Sequence, residues 1–478
     1  MAIGIKDMRI LMVGNDPHDI GGVVNYTRPL ALKFVEMGHK VFYFYSGAWN
    51  RRYNYLFRPY LRIHRRDFSF ECAELMNSPN WTYNYGNPLL DIHAHQTEKL
   101  FIKYMEKIKP DVVHVHSRCG LPASLIEIAS NHGLRVFTTI HVYGFLCQKR
   151  VMIDHHGMPC KGPSDADKCA QCTGYVDIKR LKHTVRLENT SKQLFTLAKS
   201  LLGILRKCSR SKKSDQRSSN DPAPCKGIAH YEKIKAKLQE RLDYMIHAMN
   251  TYTVTNLCVS TDVKRTLMRY GVHEDKLLVQ HIGSSIAENQ KLNRRTLHTP
   301  IVIGNIGGVH HYKGTHVLVE AVKNIKNKNF IVKIFGKYDQ AYVESVMQGK
   351  EDLPIEFLGK YQPTDLFEIL KQVDIMVLPS ICNDTAPQTI FESYSAGIPI
   401  VASDIGGFPD FIKDGVSGCL FRPGDSQDLA DKLDKVLTDP QKIESFSWKV
   451  PKLKTITDNA LELVALYKKC IENNSITT

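Results

Sequence analysis

With 478 residues, 43% of them hydrophobic and 9% aromatic, the chain is too long for one ordinary core and too apolar to be disordered, so two globular domains are expected. No apolar run reaches the roughly 18 residues that span a bilayer, and 12 cysteines scattered outside a single cluster argue against a secreted disulfide framework. A net charge of +15 suits an anionic partner: nucleotide phosphates, an acidic membrane surface or nucleic acid. No nucleic-acid-binding module or aromatic–basic platform is visible, so nucleic acid is not an expected partner.

The apolar run at 10–13 is too short for a signal peptide, and a cytoplasmic protein is expected. A strand at 9–13 leads into Gly21–Gly22 and a helix at 24–37 that Gly38 closes. Further strands are predicted at 41–45, 111–116, 136–140, 254–260 and 277–280, with a helix around 122–132. Residues 179–213 hold a dense run of Lys and Arg, and within them 194–208 (LFTLAKSLLGILRKC) reads as an apolar helix with a basic end. It suits either a helix lying on anionic lipid or a core-packed helix followed by a solvated loop. Residues 209–220 are a low-complexity polar loop, and the polar, aperiodic stretch at 286–298 reads as a linker.

A second strand–helix series follows, with strands at 301–306, 330–335, 355–358, 375–378, 400–402 and 419–421. Helices are expected at 315–325, 365–372 and 454–471. Alternating strands and helices predict an α/β protein of two Rossmann-like, doubly wound domains facing across a cleft. The expected divisions are an N-terminal domain over 1–288, a linker at 289–298, a C-terminal domain over 299–453, and a helix at 454–478 returning to the first domain. The N-terminal domain would carry a cysteine-rich loop at 147–172 and a basic helical insertion at 179–245. Neither half has G-x-G-x-x-G after its first strand, which weakens a dinucleotide oxidoreductase reading.

The densest chemistry lies at 375–421, where a buried strand ends in a polar loop, a helix starts near Pro387, and a second strand opens into Gly406–Gly407. Strand ends and helix N-termini converge there on one crevice, the place where open α/β sheets bind phosphorylated ligands. Asp384 and Glu392 form a D-x7-E pair across the start of that helix.

Together with GGVVNYTRPLALKFVEMGHKV at 21–41, PDVVHVHS at 110–117, TIH at 139–141 and NIGGVHHYKG at 305–314, this segment resembles the retaining, nucleotide-sugar-dependent glycosyltransferases of family 4, of polysaccharide and lipopolysaccharide biosynthesis, which have the GT-B fold. The resemblance covers most of the chain. It implies a metal-independent hexosyltransferase that moves a sugar from a UDP- or GDP-sugar to a glycan or lipid-linked acceptor. The acceptor would bind the N-terminal half, and the enzyme would be cytoplasmic or peripheral on the cytoplasmic face of the inner membrane. Retention implies front-face attack, with the leaving phosphate taking the acceptor proton.

Breaking a sugar–diphosphate bond builds negative charge on the departing diphosphate, which cations and oriented N–H groups must stabilise. Lys313 is the expected diphosphate ligand, a point charge suited to phosphate oxygens; otherwise it is a surface lysine before a helix. The family usually carries arginine five residues earlier, where this chain has Gly308, so either His310, His311 or Lys337 compensates or donor affinity and rate are reduced. Gly21 and Gly22 would let backbone approach the diphosphate, unless they are simply a tight turn. Gly406 and Gly407 could present N–H groups in the same way. The resemblance assigns Glu392 to the cis-diol of the ribose, against an ordinary helix glutamate. It assigns Asp384, in place of the usual glutamate, to the transferred sugar. Thr385 is the expected N-cap, leaving the N–H groups of Ala386, Gln388 and Thr389 for the diphosphate. His141 would face the cleft, bonding a sugar hydroxyl or assisting acceptor deprotonation, or else be a satisfied buried histidine; Val142 stands where the family often has aspartate.

Cys147, Cys160, Cys169 and Cys172 fall in one segment whose C-x2-C end is a recurrent metal-ligand spacing. Four thiolates suit a structural zinc, while free thiols or a redox pair fit the same residues. Asp165–Ala166–Asp167 matches D-x-D formally, a tripeptide common by chance. Two other functions remain open. A nucleotide-sugar epimerase of this fold would need no acceptor, and a non-catalytic nucleotide-binding scaffold would account for Gly308, Asp384 and Val142.

Overall fold

The computed structural model describes residues 7–47, 58–80, 87–163, 165–174, 228–290 and 296–472. The basic helix expected at 194–208, the loop at 209–220, and much of the insertion at 179–245 and of the linker at 289–298 lie outside the described residues.

Two sheets organise the chain. The first has eight strands in the order β3-β4-β2-β1-β5-β6-β7-β8. These are β1 (Arg9–Gly14), β2 (Lys40–Ser46), β3 (Tyr60–His64), β4 (Glu71–Met76), β5 (Val112–Val115), β6 (Arg135–Ile140), β7 (Thr255–Cys258) and β8 (Leu277–Val279). All neighbours pair parallel except β3 and β4. The central strands are buried along nearly their whole length, as expected for a parallel sheet covered by helices on both faces. β3 is the antiparallel edge, and its mixed exposure explains why no apolar run betrayed it.

The second sheet is wholly parallel, ordered β11-β10-β9-β12-β13-β14. Its strands are β9 (Ile301–Ile306), β10 (Phe330–Phe335), β11 (Ile355–Gly359), β12 (Ile375–Leu378), β13 (Ile400–Ser403) and β14 (Gly418–Phe421). β9, β12 and β13 lie side by side in the middle, so the loops leaving their C-terminal ends meet.

The helix Ile456–Glu472 lies against the first sheet. Its Tyr467 hydroxyl is hydrogen-bonded to His114 on β5, and Asn459 Oδ1 accepts from Tyr26 Oη at 2.7 Å and from the Gly283 N–H at 3.2 Å. A Cβ on Gly283 would stand 2.2 Å from the Thr455 carbonyl oxygen, so only glycine lets the chain return this closely. Among the described residues, no helix is long and apolar enough to cross a membrane.

Candidate active site

Lys313 is positioned by contact between two loops. Gly314 has φ +75°, and a Cβ there would lie 1.7 Å from the Pro379 carbonyl oxygen, so glycine is required. The Ile381 N–H and Ser380 Oγ both donate to the Tyr312 carbonyl, at 3.0 and 3.3 Å, tying the loop after β9 to the loop after β12. Lys313 Nζ thereby sits 2.8 and 2.7 Å from the two carboxylate oxygens of Asp384. Partial burial would lower the pKa of the ammonium, but the Asp384 carboxylate outweighs it and the net shift is upward.

The Asp384 loop is seated on Gly406–Gly407. Gly406 has φ +60°, and a Cβ would meet the Asp384 carbonyl at 2.5 Å; on Gly407 it would meet the Thr385 carbonyl at 2.2 Å. The Gly407 N–H donates to the Asp384 carbonyl at 2.7 Å. This corrects the expectation that Gly407 offers its N–H to a phosphate. The Gly407 donor is already used, and the pair instead supports the loop that carries Asp384.

Thr385 is also not the N-cap. The helix Gln388–Ser395 is preceded by Pro387, with no side-chain capping bond. Thr385 Oγ1 instead donates to the His141 carbonyl at 2.6 Å, joining the second sheet's loop to the first sheet. The first-turn N–H groups, including those of Gln388 and Thr389, have no partner inside the helix. Gly22 faces this helix start, for a Cβ there would lie 3.5 Å from Gln388 Cγ. Gly21, at φ 157° and ψ 163°, starts the helix Gly22–Glu36 in a backbone region that is essentially glycine's own. Two helix N-termini, one from each sheet, thus border the same gap.

Glu392 lies farther along the Gln388–Ser395 helix. Burial pushes its carboxyl up to about 7. The Tyr361 phenol nearby is pushed up to about 12 by burial and by the Glu392 charge. Opposite, His141 leaves the end of β6, is 7% exposed, and lines a cleft with His116. Burial lowers its imidazole to about 3, so it is neutral at physiological pH. Its Nε2 lies 3.4 Å from His116 Nδ1, whereas His114 is held in the core by Thr139 and Tyr467.

Gly308 leaves room that His310 occupies, since a Cβ would sit 2.9 Å from the His310 ring. The His310 pKa is lowered by burial and then by Lys313 and Lys337, so all three groups share one electrostatic neighbourhood. His311 stacks instead on His316, with ring centroids 4.1 Å apart.

Cys147, Cys160, Cys169 and Cys172 line one pocket. Burial and then the other three cysteines push the Cys169 thiol up to about 12. Among the described residues, no group of three or more His, Cys, Asp or Glu side chains could hold a metal ion, so the structural zinc expected of the four cysteines is not supported. The carboxylates of the D-x-D tripeptide are engaged locally. Asp165 accepts from the Asp167 and Lys168 N–H groups, and Asp167 pairs with Lys235.

Several charged residues near the cleft were not anticipated. Asp262 accepts from Tyr143 Oη and Asn383 Nδ2, and Asp410 accepts from the Thr261 N–H and pairs with His281, so both carboxylates join the two sheets' loops. Asp91, Arg118, Arg150 and Arg241 converge on the His141 side. Arg118 follows a strand end by three residues, a sequence signal that could have marked it.

Comparison with known proteins agrees with this geometry. Residues 300–439 match the family described as Glycosyl transferases group 1. The chain is 32% identical over 143 residues to "Sulfoquinovosyl transferase SQD2" of Arabidopsis thaliana, covering 29% of this chain and 27% of that protein. It is 29% identical over 246 residues to a "D-inositol 3-phosphate glycosyltransferase" of Corynebacterium urealyticum, covering 44% and 56%. The chain therefore spans about a quarter and about half of the length of these two relatives. In three dimensions it is similar to Anabaena Alr3699/HepE in complex with UDP and glucose, with a TM-score of 0.54, 14% identity, and coverage of 98% of this chain and 100% of that one. The architecture is GT-B: two Rossmann-like domains face each other across a cleft.

Proposed function

We propose that the chain is a retaining glycosyltransferase of group 1, moving a hexose-type sugar from a UDP- or GDP-sugar onto a glycan or lipid-linked acceptor. The observation that carries this reading is the meeting of Lys313, Asp384 and the open N-terminus of helix Gln388–Ser395 at the C-terminal ends of β9 and β12, facing Gly22 across the gap. The UDP and glucose bound by Alr3699/HepE support a nucleotide-sugar ligand for the same fold.

In this reading Lys313, with His310 and Lys337 nearby, and the N–H groups of Gln388 and Thr389 neutralise the diphosphate. Glu392 accepts from the ribose hydroxyls, and Asp384 holds the transferred sugar. Gly21–Gly22 bring backbone close to the reacting groups. The bond from anomeric carbon to diphosphate oxygen breaks, and its electron pair leaves with the diphosphate. The acceptor hydroxyl oxygen bonds to that carbon on the same face, and its proton passes to the departing phosphate. His141, neutral and with a lowered pKa, is better suited to orient a hydroxyl than to take its proton. The net charge of +15 supports work beside an anionic membrane face.

The test is to incubate the protein with UDP- and GDP-hexoses and a panel of acceptors, and to read product configuration by NMR. A product with the donor's anomeric configuration supports the reading. An inverted product refutes retention, and interconverted sugar with no acceptor present identifies an epimerase instead.

A further inference from the structure

On the first-sheet side of the cleft, the space that His141 lines is walled by three guanidinium groups, Arg118, Arg150 and Arg241, and by one carboxylate, Asp91. That carboxylate is already engaged, since Arg241 Nε lies 2.9 Å from Asp91 Oδ2 and the Arg241 side chain is only 3% exposed. Arg241 also donates to the carbonyls of Gly144 at 2.6 Å and Leu146 at 3.3 Å, so its hydrogen bonds are spent on holding the 143–150 turn.

Arg118 is placed differently. It donates to the carbonyls of Gly144 at 2.9 Å and Asp91 at 3.5 Å, and its guanidinium lies 4.5 Å from the centre of the Phe145 ring. Its Nε is buried without a hydrogen-bond partner. Burial and then Arg241 lower its pKa to about 9, against the Asp91 carboxylate, which it shares with Arg241 and Arg150. Burial keeps His116 and His141 neutral, so neither adds further positive charge, and His116 Nε2 is likewise buried without a partner. Three guanidinium groups that share one carboxylate leave positive charge uncompensated in a buried space, and a ligand anion would offset it.

The cavity lies beside the loop that carries Asp384. His141 lines it, and the His141 carbonyl takes the hydrogen bond from Thr385, the neighbour of Asp384. The Arg118 guanidinium is also planar and forked, which suits the two oxygens of a carboxylate or phosphate. We propose that the acceptor carries an anionic group, a carboxylate or a phosphate on a sugar, which Arg118 and Arg150 bind while its hydroxyl meets the sugar donor beside His141. The proposal rests on the glycosyltransferase reading for its hydroxyl, but not for the anion.

The test is calorimetric binding of methyl β-D-glucoside, methyl β-D-glucuronide and glucose 6-phosphate to the full chain, with and without saturating UDP. The proposal expects either anionic sugar to bind at least about tenfold tighter than the neutral one, the size of one charge-assisted pair, and to weaken as salt rises. The glucuronide and phosphate arms distinguish carboxylate from phosphate. In Arg118→Gln the preference should disappear, and in Arg118→Lys it should survive in part. Equal binding of charged and neutral sugars by the unaltered chain overturns the proposal, as does a preference that Arg118→Gln leaves intact. Binding of no anionic sugar overturns it too. The UDP titration reports on the glycosyltransferase reading separately, because the anion preference is also measured without nucleotide.

Discussion

Lys313 Nζ lies within 2.8 Å of both carboxylate oxygens of Asp384, although the two residues are 71 positions apart and leave different strands. The ammonium proposed to meet a diphosphate is thus already held by an anion. The pair fixes the lysine side chain before ligand arrives, and the carboxylate opposes the phosphate charge. Removing either partner should therefore have opposite effects on nucleotide binding.

Lys313→Ala should lower kcat/KM for the sugar donor by about 100- to 1,000-fold, the usual loss when one group stabilising developing charge is removed. Steady-state kinetics with the donor found in the screen checks this.

Asp384→Asn should tighten UDP binding about two- to fivefold, the equivalent of the ~0.5–1 kcal/mol typical of a partly exposed ion pair. Transfer should slow in the same variant, because the contact to the sugar changes. Calorimetry and turnover measured side by side separate the two effects.

Glu392 gives a pH dependence with a definite sign. Burial raises its carboxyl from 4.5 to about 7, so protonation favours the folded, ligand-free chain. That contribution is complete below about pH 4.5 and is lost as pH rises through about 7. The ribose hydroxyls need the ionised form, so UDP affinity should rise with pH through the same interval, by at most about tenfold per unit. Glu392→Gln should bind UDP more weakly and flatten the profile, as titrations from pH 5.5 to 8.5 would show.

Gly314→Ala should destabilise the fold by about 1–3 kcal/mol, the range for strained or overpacked positions. Its Cβ would collide with the Pro379 carbonyl, and its φ of +75° is unfavourable for alanine. Denaturant unfolding measures the loss, and UDP affinity should fall with it because the same contact places Lys313.

Much of the second sheet could be read from the sequence. Strands at 301–306, 330–335 and 375–378 were bounded correctly because each is a short apolar run between turn residues. β3 and β4 were missed, since β3 is a half-exposed edge with no period to follow. Lys313 and Asp384 were each singled out, yet their pairing was not visible, because it depends on Gly314 touching Pro379 and no local spacing records that contact. Thr385 had the composition of a cap but is drawn away by the His141 carbonyl, a partner 244 residues distant. Gly406–Gly407 resembled a phosphate loop, but the close approach that requires glycine there is to the Asp384 backbone. The arginines around His141 escaped notice because charge clusters assembled from separate loops leave no run in the sequence.

The most direct measurement is a crystal structure of the chain soaked with UDP. The account predicts the diphosphate within hydrogen-bond reach of Lys313 Nζ and the Gln388–Thr389 N–H groups, with both ribose hydroxyls on Glu392. Nucleotide bound elsewhere, with the Lys313–Asp384 pair undisturbed and Glu392 untouched, would contradict it.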